Sequence, residues 1–261
     1  MTLAPPPAQS TASRRYRTRC RLQERSSSIA RAGRDRRAFA EGSLRYARPV
    51  WANGVSDWGP AALALTEHGY VVLPGALPGS GHDGNAGWWG LRREAEQLFA
   101  DDAFSAARVG RGDGDVDGAL RESPIRGSSV CWLDASMPVG QAFMRWMEGL
   151  RVALNRDLFL GLDSFEAQYA HYPIGASYGT HVDRHRHSNA RVVSAVIYLN
   201  ADWPADGGGE LIIYDEHEIP RLTLAPEGGT LVLFMSDETA HEAKQATRER
   251  WSIAGWFRTR C

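Results

Sequence analysis

No apolar run in the 261 residues approaches the ~18 that a membrane-spanning helix needs, which speaks against a helical membrane protein. Cysteine is scarce. Cys20, Cys131 and Cys261 are odd in number and far apart, so they supply neither a disulfide framework nor a paired-cysteine metal site. That pattern points to a reducing compartment, and the expected location is cytoplasmic. Lysine is nearly missing: Lys244 is the only one among 30 basic residues, which reads as a compositional bias rather than a functional signal. There is no internal repeat and no hydrophobic signal-peptide core, so secretion is disfavoured.

What the chain does contain is enough apolar material, 43% of residues, for one sizeable core. The formal net charge of −1 hides an asymmetry. Residues 1–50 hold twelve arginines against Glu24, Asp35 and Glu41, which leaves 18 basic and 28 acidic residues for the remainder. A body this acidic lacks the clustered cations that phosphate contacts require, so nucleic acid is not an expected partner.

Residues 1–50 mix Pro5-Pro6-Pro7, Ser26-Ser27-Ser28 and scattered arginine, and they read as a disordered basic extension. A solvated extension (an over-called start codon included), an organelle transit peptide and a basic arm all fit that composition. Residues 51–261 read as one domain, with helical support over 51–160 and a β core over 161–261. Helices are expected over 57–68, stopped by Gly69, over 88–100 and over 138–158. In the last, Val139, Phe143, Trp146, Met147, Leu150 and Leu154 form one face at helical spacing, the mark of a helix packed on a sheet. A strand is expected over 70–73, a long mobile loop over 101–130, and an apolar segment at 130–133. From 164 onward short strands alternate with turns: 165–172, 191–199, 210–214, 222–224, 230–235, 241–245 and 251–257. Strands of this number and length suit a jelly roll.

One constellation carries chemistry. His181-Val182-Asp183, then His241, then Arg250 nine residues later, supply two imidazoles, a carboxylate and a buried-type cation in strand-like sequence. Two His and one carboxylate bind one face of Fe(II) and leave three positions open. In an extended strand residues i and i+2 share a side, so His181 and Asp183 are expected to reach one metal. Ser252 shares the Arg250 strand face, while Trp251 points to the core. His185 and His187 are read as solvated neighbours. His171 alternates to the opposite face, and His68, His82 and His217 lie outside the set. Arg248 and Arg258 have the wrong spacing and are read as surface groups.

The text Tyr172-Pro173, Tyr178 to Asp183, Tyr198 to Trp203, Gly208-Gly209-Glu210-Leu211, His241-Glu242, Arg250-Trp251-Ser252 and Gly255-Trp256-Phe257 resembles the 2-oxoglutarate/iron(II) dioxygenases. The resemblance is greatest to the prolyl hydroxylase domain group and its bacterial members, and it covers roughly 160–258. It implies a mainly β fold with flanking helices: a double-stranded β-helix, the cupin-like jelly-roll barrel, buttressed by N-terminal α-helices. It implies Fe(II), 2-oxoglutarate and O2 as reactants, with ascorbate as an accessory ligand. His181, Asp183 and His241 match the metal ligands. Arg250 matches the anchor for the far carboxylate of 2-oxoglutarate, and Tyr198 a tyrosine that donates to the same carboxylate. Tyr172 and Leu211 match positions lining that pocket. A carboxylate at Asp183, where a small residue would open a halide site, favours hydroxylation over halogenation.

For the substrate, Ile125-Arg126-Gly127 and Trp132-Leu133 resemble the strand beside the mobile loop of prolyl hydroxylases. The acidic residue usual after that glycine is Ser128 here, and Arg111-Gly112-Asp113 offers a second alignment. Arg191 matches a basic residue flanking the peptide groove. The expected activity is therefore peptidyl-proline hydroxylation by a monomer, with a translation protein such as elongation factor Tu as one candidate target. A small-molecule hydroxylase and a non-catalytic peptide- or metal-binding barrel are the alternatives.

Overall fold

A computed structural model describes residues 57–78, 87–107, 127–183 and 190–260. The extension at 1–50, Arg126, the loop centre at 108–126, and His82, His185 and His187 lie outside the described residues.

Among the described residues three helices lie in the first half of the domain. Helix α1 (Gly59–His68) has a proline at its first positions, where a missing N–H costs nothing. It ends at Gly69, whose φ of 77° closes the last turn by a bond from its N–H to the Leu65 carbonyl. Helices α2 (Gly87–Ala100) and α3 (Pro138–Leu158) follow, interleaved with strands β1 (Tyr70–Leu73), β2 (Ser105–Ala106) and β3 (Ser129–Trp132). The remaining strands are β4 (Ser164–Tyr172), β5 (Tyr178–His181), β6 (Arg191–Tyr198), β7 (Leu211–Tyr214), β8 (Pro220–Leu224), β9 (Leu231–Met235), β10 (His241–Ala243) and β11 (Arg250–Arg258).

The strands form two antiparallel sheets, a seven-stranded one in the order β1-β9-β6-β11-β4-β3-β2 and a four-stranded one in the order β5-β10-β7-β8. Alternation along β6 and β11 divides their side chains between two cores. Ile197, Ile253 and Phe257 face outward onto the helices, where Met147, Leu150 and Leu154 of α3 meet them. Tyr198, Val232 and Phe234 face inward and meet Leu211, Ile213 and Leu222 of the smaller sheet. This is the double-stranded β-helix. Among the described residues its two sheets pack face to face without closing into one continuous hydrogen-bonded barrel.

The loop expected over 101–130 is shorter than that, because Ser105–Ala106 pairs with Ser129 and Val130 at the edge of the larger sheet. Strand β5 lies outside the run of alternating strands and turns expected from 164 onward, and it stops at His181, short of the Asp183 that an extended strand was expected to include. Its side chains are half-buried or exposed throughout, so no apolar alternation marks it.

A half-buried carboxylate joins the helices to the sheet. The Glu94 carboxylate on α2 accepts from the backbone N–H groups of Val139 and Gly140, at 2.8 and 2.7 Å, at the start of α3. It also accepts from the Tyr169 hydroxyl of β4 at 2.7 Å. An anion on the first N–H groups of a helix satisfies orphan donors and opposes the helix dipole. Glu94→Ala should therefore lower stability by about 3 kcal/mol, measured by urea unfolding, because three donors lose a charged acceptor at once. A loss under about 0.5 kcal/mol would show the contact to be incidental.

Candidate active site

His181 ends β5, and His241 opens β10 directly opposite it in register. Asp183 lies two residues beyond the strand end, so a shared strand face is not what brings it to His181. Its backbone N–H is instead bonded to the Ser236 carbonyl at 3.0 Å, which folds the segment back over the mouth of the smaller sheet. The three candidate ligand atoms lie within 4.8 Å of one another. His181 Nε2 is 3.6 Å from Asp183 Oδ1, and His241 Nε2 is 3.8 Å from Oδ2.

Each histidine is aimed by its own backbone. His181 Nδ1 is 2.8 Å from the Gly179 carbonyl, and His241 Nδ1 is 3.0 Å from the Thr239 carbonyl. A carbonyl only accepts, so Nδ1 donates in both rings and Nε2 is the nitrogen turned toward the site, where a metal between it and Asp183 would be bound. The rings are held by Tyr178, stacked on His181 at 3.6 Å, and by Phe234, 4.5 Å from His241. Burial lowers the His241 pKa, with Asp183 opposing, so the imidazole stays neutral as a ligand must. Burial by itself would raise the Asp183 pKa. His241, His181 and the Ser194 hydroxyl outweigh it and hold the carboxyl below its ordinary value. Two lone-pair nitrogens and an ionised carboxylate fit Fe(II) in its three-open-position geometry.

The second part of the site lies deeper. Arg250 opens β11 in register with Tyr172 and is 4% exposed. Its guanidinium carbon sits 4.6 Å from the Tyr172 ring and 5.4 Å from the Tyr198 ring. The backbone comes close at Gly209, where φ is +71° and an added Cβ would stand 3.4 Å from Arg250 Cδ. The Arg250 Nε and Nη1 atoms and the Tyr198 hydroxyl are buried and meet no hydrogen-bond partner among the described residues. Burial pushes the Tyr198 pKa up to about 12, with Arg250 pulling the other way, so the phenol keeps its proton. A charged guanidinium and a protonated phenol, all donors, converge on one spot without an acceptor. Buried donors left open in this way mark a place for an anion. Leu211 and Ser252 are also buried, and Ser252 registers with Tyr198.

The predicted substrate residues divide. Arg126 lies outside the described residues. Trp132 is 49% exposed, 6.1 Å from Trp256. Arg191 stacks over Trp256 at 3.6 Å, and its guanidinium is paired with Glu166 at 2.9 Å. The sequence reading treated Arg191 as a basic flank, but much of its charge is neutralised by that pair. Arg258, read as a surface group, shares the same carboxylate at 2.8 Å. Trp256 was not singled out as a site residue. The signal existed, because Arg250, Ser252, Ala254 and Trp256 alternate onto one face of β11. His171 packs against Trp251 and Phe99 on the helix side, away from the metal set, as expected. Among the described residues no helix is long and apolar enough to cross a membrane.

Comparison with known proteins gives a consistent result. A profile of the 2OG-Fe(II) oxygenase superfamily matches residues 167–258. The crystal structure of a Pseudomonas putida prolyl-4-hydroxylase is similar, with 34% identity and a TM-score of 0.66 over 77% of this chain and 98% of that one. A Trichoplax adhaerens prolyl hydroxylase, solved with a hypoxia inducible factor oxygen degradation domain peptide, shares the fold at a TM-score of 0.63 and 22% identity, over 76% of this chain and 87% of that one. Human Egl nine homolog 1 is 28% identical over 183 residues, which are 64% of this chain and 42% of the relative. The chain thus spans about half the length, or less, of the curated relatives it matches.

Proposed function

The chain belongs to the 2OG-Fe(II) oxygenase superfamily, and from that premise we propose that it is a dioxygenase that hydroxylates a prolyl residue of a protein. The observation that carries the cosubstrate half is the set of open donors on Arg250 and Tyr198, buried beside three metal-competent groups. In this reading His181, Asp183 and His241 hold Fe(II), and Arg250 forks onto the far carboxylate of 2-oxoglutarate with the Tyr198 hydroxyl as a second donor. Tyr172, Leu211 and Ser252 wall the channel between them. When bound, iron with 2-oxoglutarate supplies oxidative power that no side chain has, turning O2 into a hydroxylating agent and releasing succinate and CO2. The protein orients the chelate and keeps water from it.

The substrate half is supported by the likeness to the Pseudomonas prolyl-4-hydroxylase, which runs nearly the whole of that chain. It is supported also by the aromatic surface at the open end of the larger sheet. Trp132, 49% exposed and propped against the buried Trp256 that Arg191 covers, offers an aromatic face on which a proline ring can lie. The substrate class is an extended segment of a soluble protein; elongation factor Tu stays a candidate, the enzyme acts in the cytoplasm as a monomer, and ascorbate serves as the accessory reductant.

The test is mass spectrometry of proline-containing peptides and whole cytosolic protein incubated with enzyme, Fe(II) and 2-oxoglutarate. The expected result is a one-oxygen gain on a proline. It should be strongly reduced by Trp132→Ala and more mildly by Arg191→Ala, with decarboxylation in the absence of substrate preserved in both. Oxidation of a free amino acid or metabolite, with no protein modified, would transfer the activity to a small substrate.

A further inference from the structure

The Asp183 carboxylate is met by one hydroxyl, which is itself bonded to a second, and the roles above give neither a part. Ser194 Oγ lies 2.7 Å from Asp183 Oδ2 and 2.9 Å from Ser236 Oγ. Ser194 is 1% exposed and Ser236 is 0% exposed. Strand alternation puts them there. Ser194 on β6 registers against Phe234 on β9 and Trp256 on β11, so it points between the sheets, and Ser236 follows Phe234 by two. The main chain ties the same pieces together, since the Asp183 N–H donates to the Ser236 carbonyl and the Ser236 N–H to the Val192 carbonyl, both at 3.0 Å.

Proton counting fixes the direction of this chain. A carboxylate only accepts, so the single Ser194 proton goes to Oδ2. Ser194 then has only lone pairs for its neighbour, and Ser236 must donate. The order is Ser236 to Ser194 to Asp183, each bond polarising the next in a site closed to water. Two buried serines lower the core's hydrophobic content, and the geometry shows what they do instead.

We infer that Ser194, backed by Ser236, is a positioning residue that occupies Asp183 Oδ2 and leaves Oδ1 as the single ligand atom of that carboxylate. The inference rests on the iron reading given above. Its consequence is positional. A carboxylate limited to one oxygen takes one coordination position, which leaves three for the two atoms of the 2-oxoglutarate chelate and for O2. A carboxylate free to turn could offer both oxygens and compete for one of the three.

The experiment compares wild type with Ser194→Ala, Ser194→Thr and Ser236→Ala. Three quantities are read without oxygen: Fe(II) affinity, the visible charge-transfer absorption of the iron–2-oxoglutarate chelate, and the melting temperature of the metal-free protein. Ser194→Ala should weaken Fe(II) binding on the order of 10- to 100-fold and alter the absorption band. Ser194→Thr, which keeps the hydroxyl, should restore both. Ser236→Ala should fall between wild type and Ser194→Ala. A merely structural role would move the melting temperature and leave the absorption band of the loaded protein alone. Wild-type affinity and absorption in Ser194→Ala would overturn the inference, as would a folded Ser194→Thr no better than Ser194→Ala. If Ser194→Ala does not fold, Ser236→Ala decides: a partial loss of affinity supports the chain, and wild-type affinity overturns it. Wild-type protein that takes up no Fe(II) would instead remove the iron reading itself, and the inference with it.

Discussion

Alanine in place of His181, Asp183 or His241 is expected to reduce succinate formation from 2-oxoglutarate to background, each substitution by itself. The reason is geometric. The three ligand atoms lie within 4.8 Å of one another and come from two strands and the segment that follows one of them, and among the described residues no other group joins the set. Two ligands do not hold Fe(II) against water at the open face. The fold should tolerate the loss in metal-free protein, because Asp183 and His181 sit at the mouth and not in the apolar core. Removing His241, buried at 5% exposure, should cost more stability than removing His181. Succinate measured against added 2-oxoglutarate, with melting temperature beside it, checks both statements. His185→Ala and His187→Ala serve as controls. Near-normal turnover in His241→Ala, with loss in either control, would reassign the ligand set.

The second large effect is on cosubstrate binding. Arg250→Lys should raise the KM for 2-oxoglutarate roughly 10- to 150-fold, about 1.5–3 kcal/mol, because a point charge replaces a planar fork and one charged hydrogen bond is lost. The guanidinium is 4% exposed and framed by the Tyr172 and Tyr198 rings, so an ammonium there cannot recover the bond through water. The effect should fall on KM far more than on turnover at saturation, since the far carboxylate does not react. Iron affinity should not change. Tyr198→Phe should act in the same direction by about 1 kcal/mol, the value of one neutral donor. Steady-state kinetics over a wide range of 2-oxoglutarate decides it, and an unchanged KM in Arg250→Lys would take Arg250 out of this role.

Several of these features could be read from the chain, and the reason is periodicity. Helix α3 was placed at its observed bounds because its apolar stripe repeats at helical spacing between a proline start and a β-rich continuation. Strands β4, β6, β9 and β11 were placed within a residue or two because short β-prone runs between turn signals mark strands buried on both faces. The metal and cosubstrate candidates were legible because their residue types and spacing are unusual together.

What escaped was set by contacts between distant segments. Strand β5 has no apolar alternation, because its partner β10 holds it at the site by backbone pairing. Asp183 was placed on a strand with His181, but the strand stops at His181 and a bond to the Ser236 carbonyl, across fifty-three residues, sets its position. Glu166 neutralising Arg191, and Glu94 capping α3 from α2, are likewise pairings that local sequence does not encode. Ser194 and Ser236 are single polar residues in or beside apolar strands, and only the fold links them to one carboxylate.

The most direct test of the central claim follows both halves of the reaction in one tube. Enzyme, Fe(II), 2-oxoglutarate and isotopically labelled O2 are incubated with cytosolic protein, and succinate and labelled hydroxyproline are counted together. The account predicts the two in matching amounts, with the label on a prolyl carbon, and both lost on chelation of the metal. Succinate absent under every metal and substrate condition, or a hydroxyl oxygen drawn from water, would contradict it.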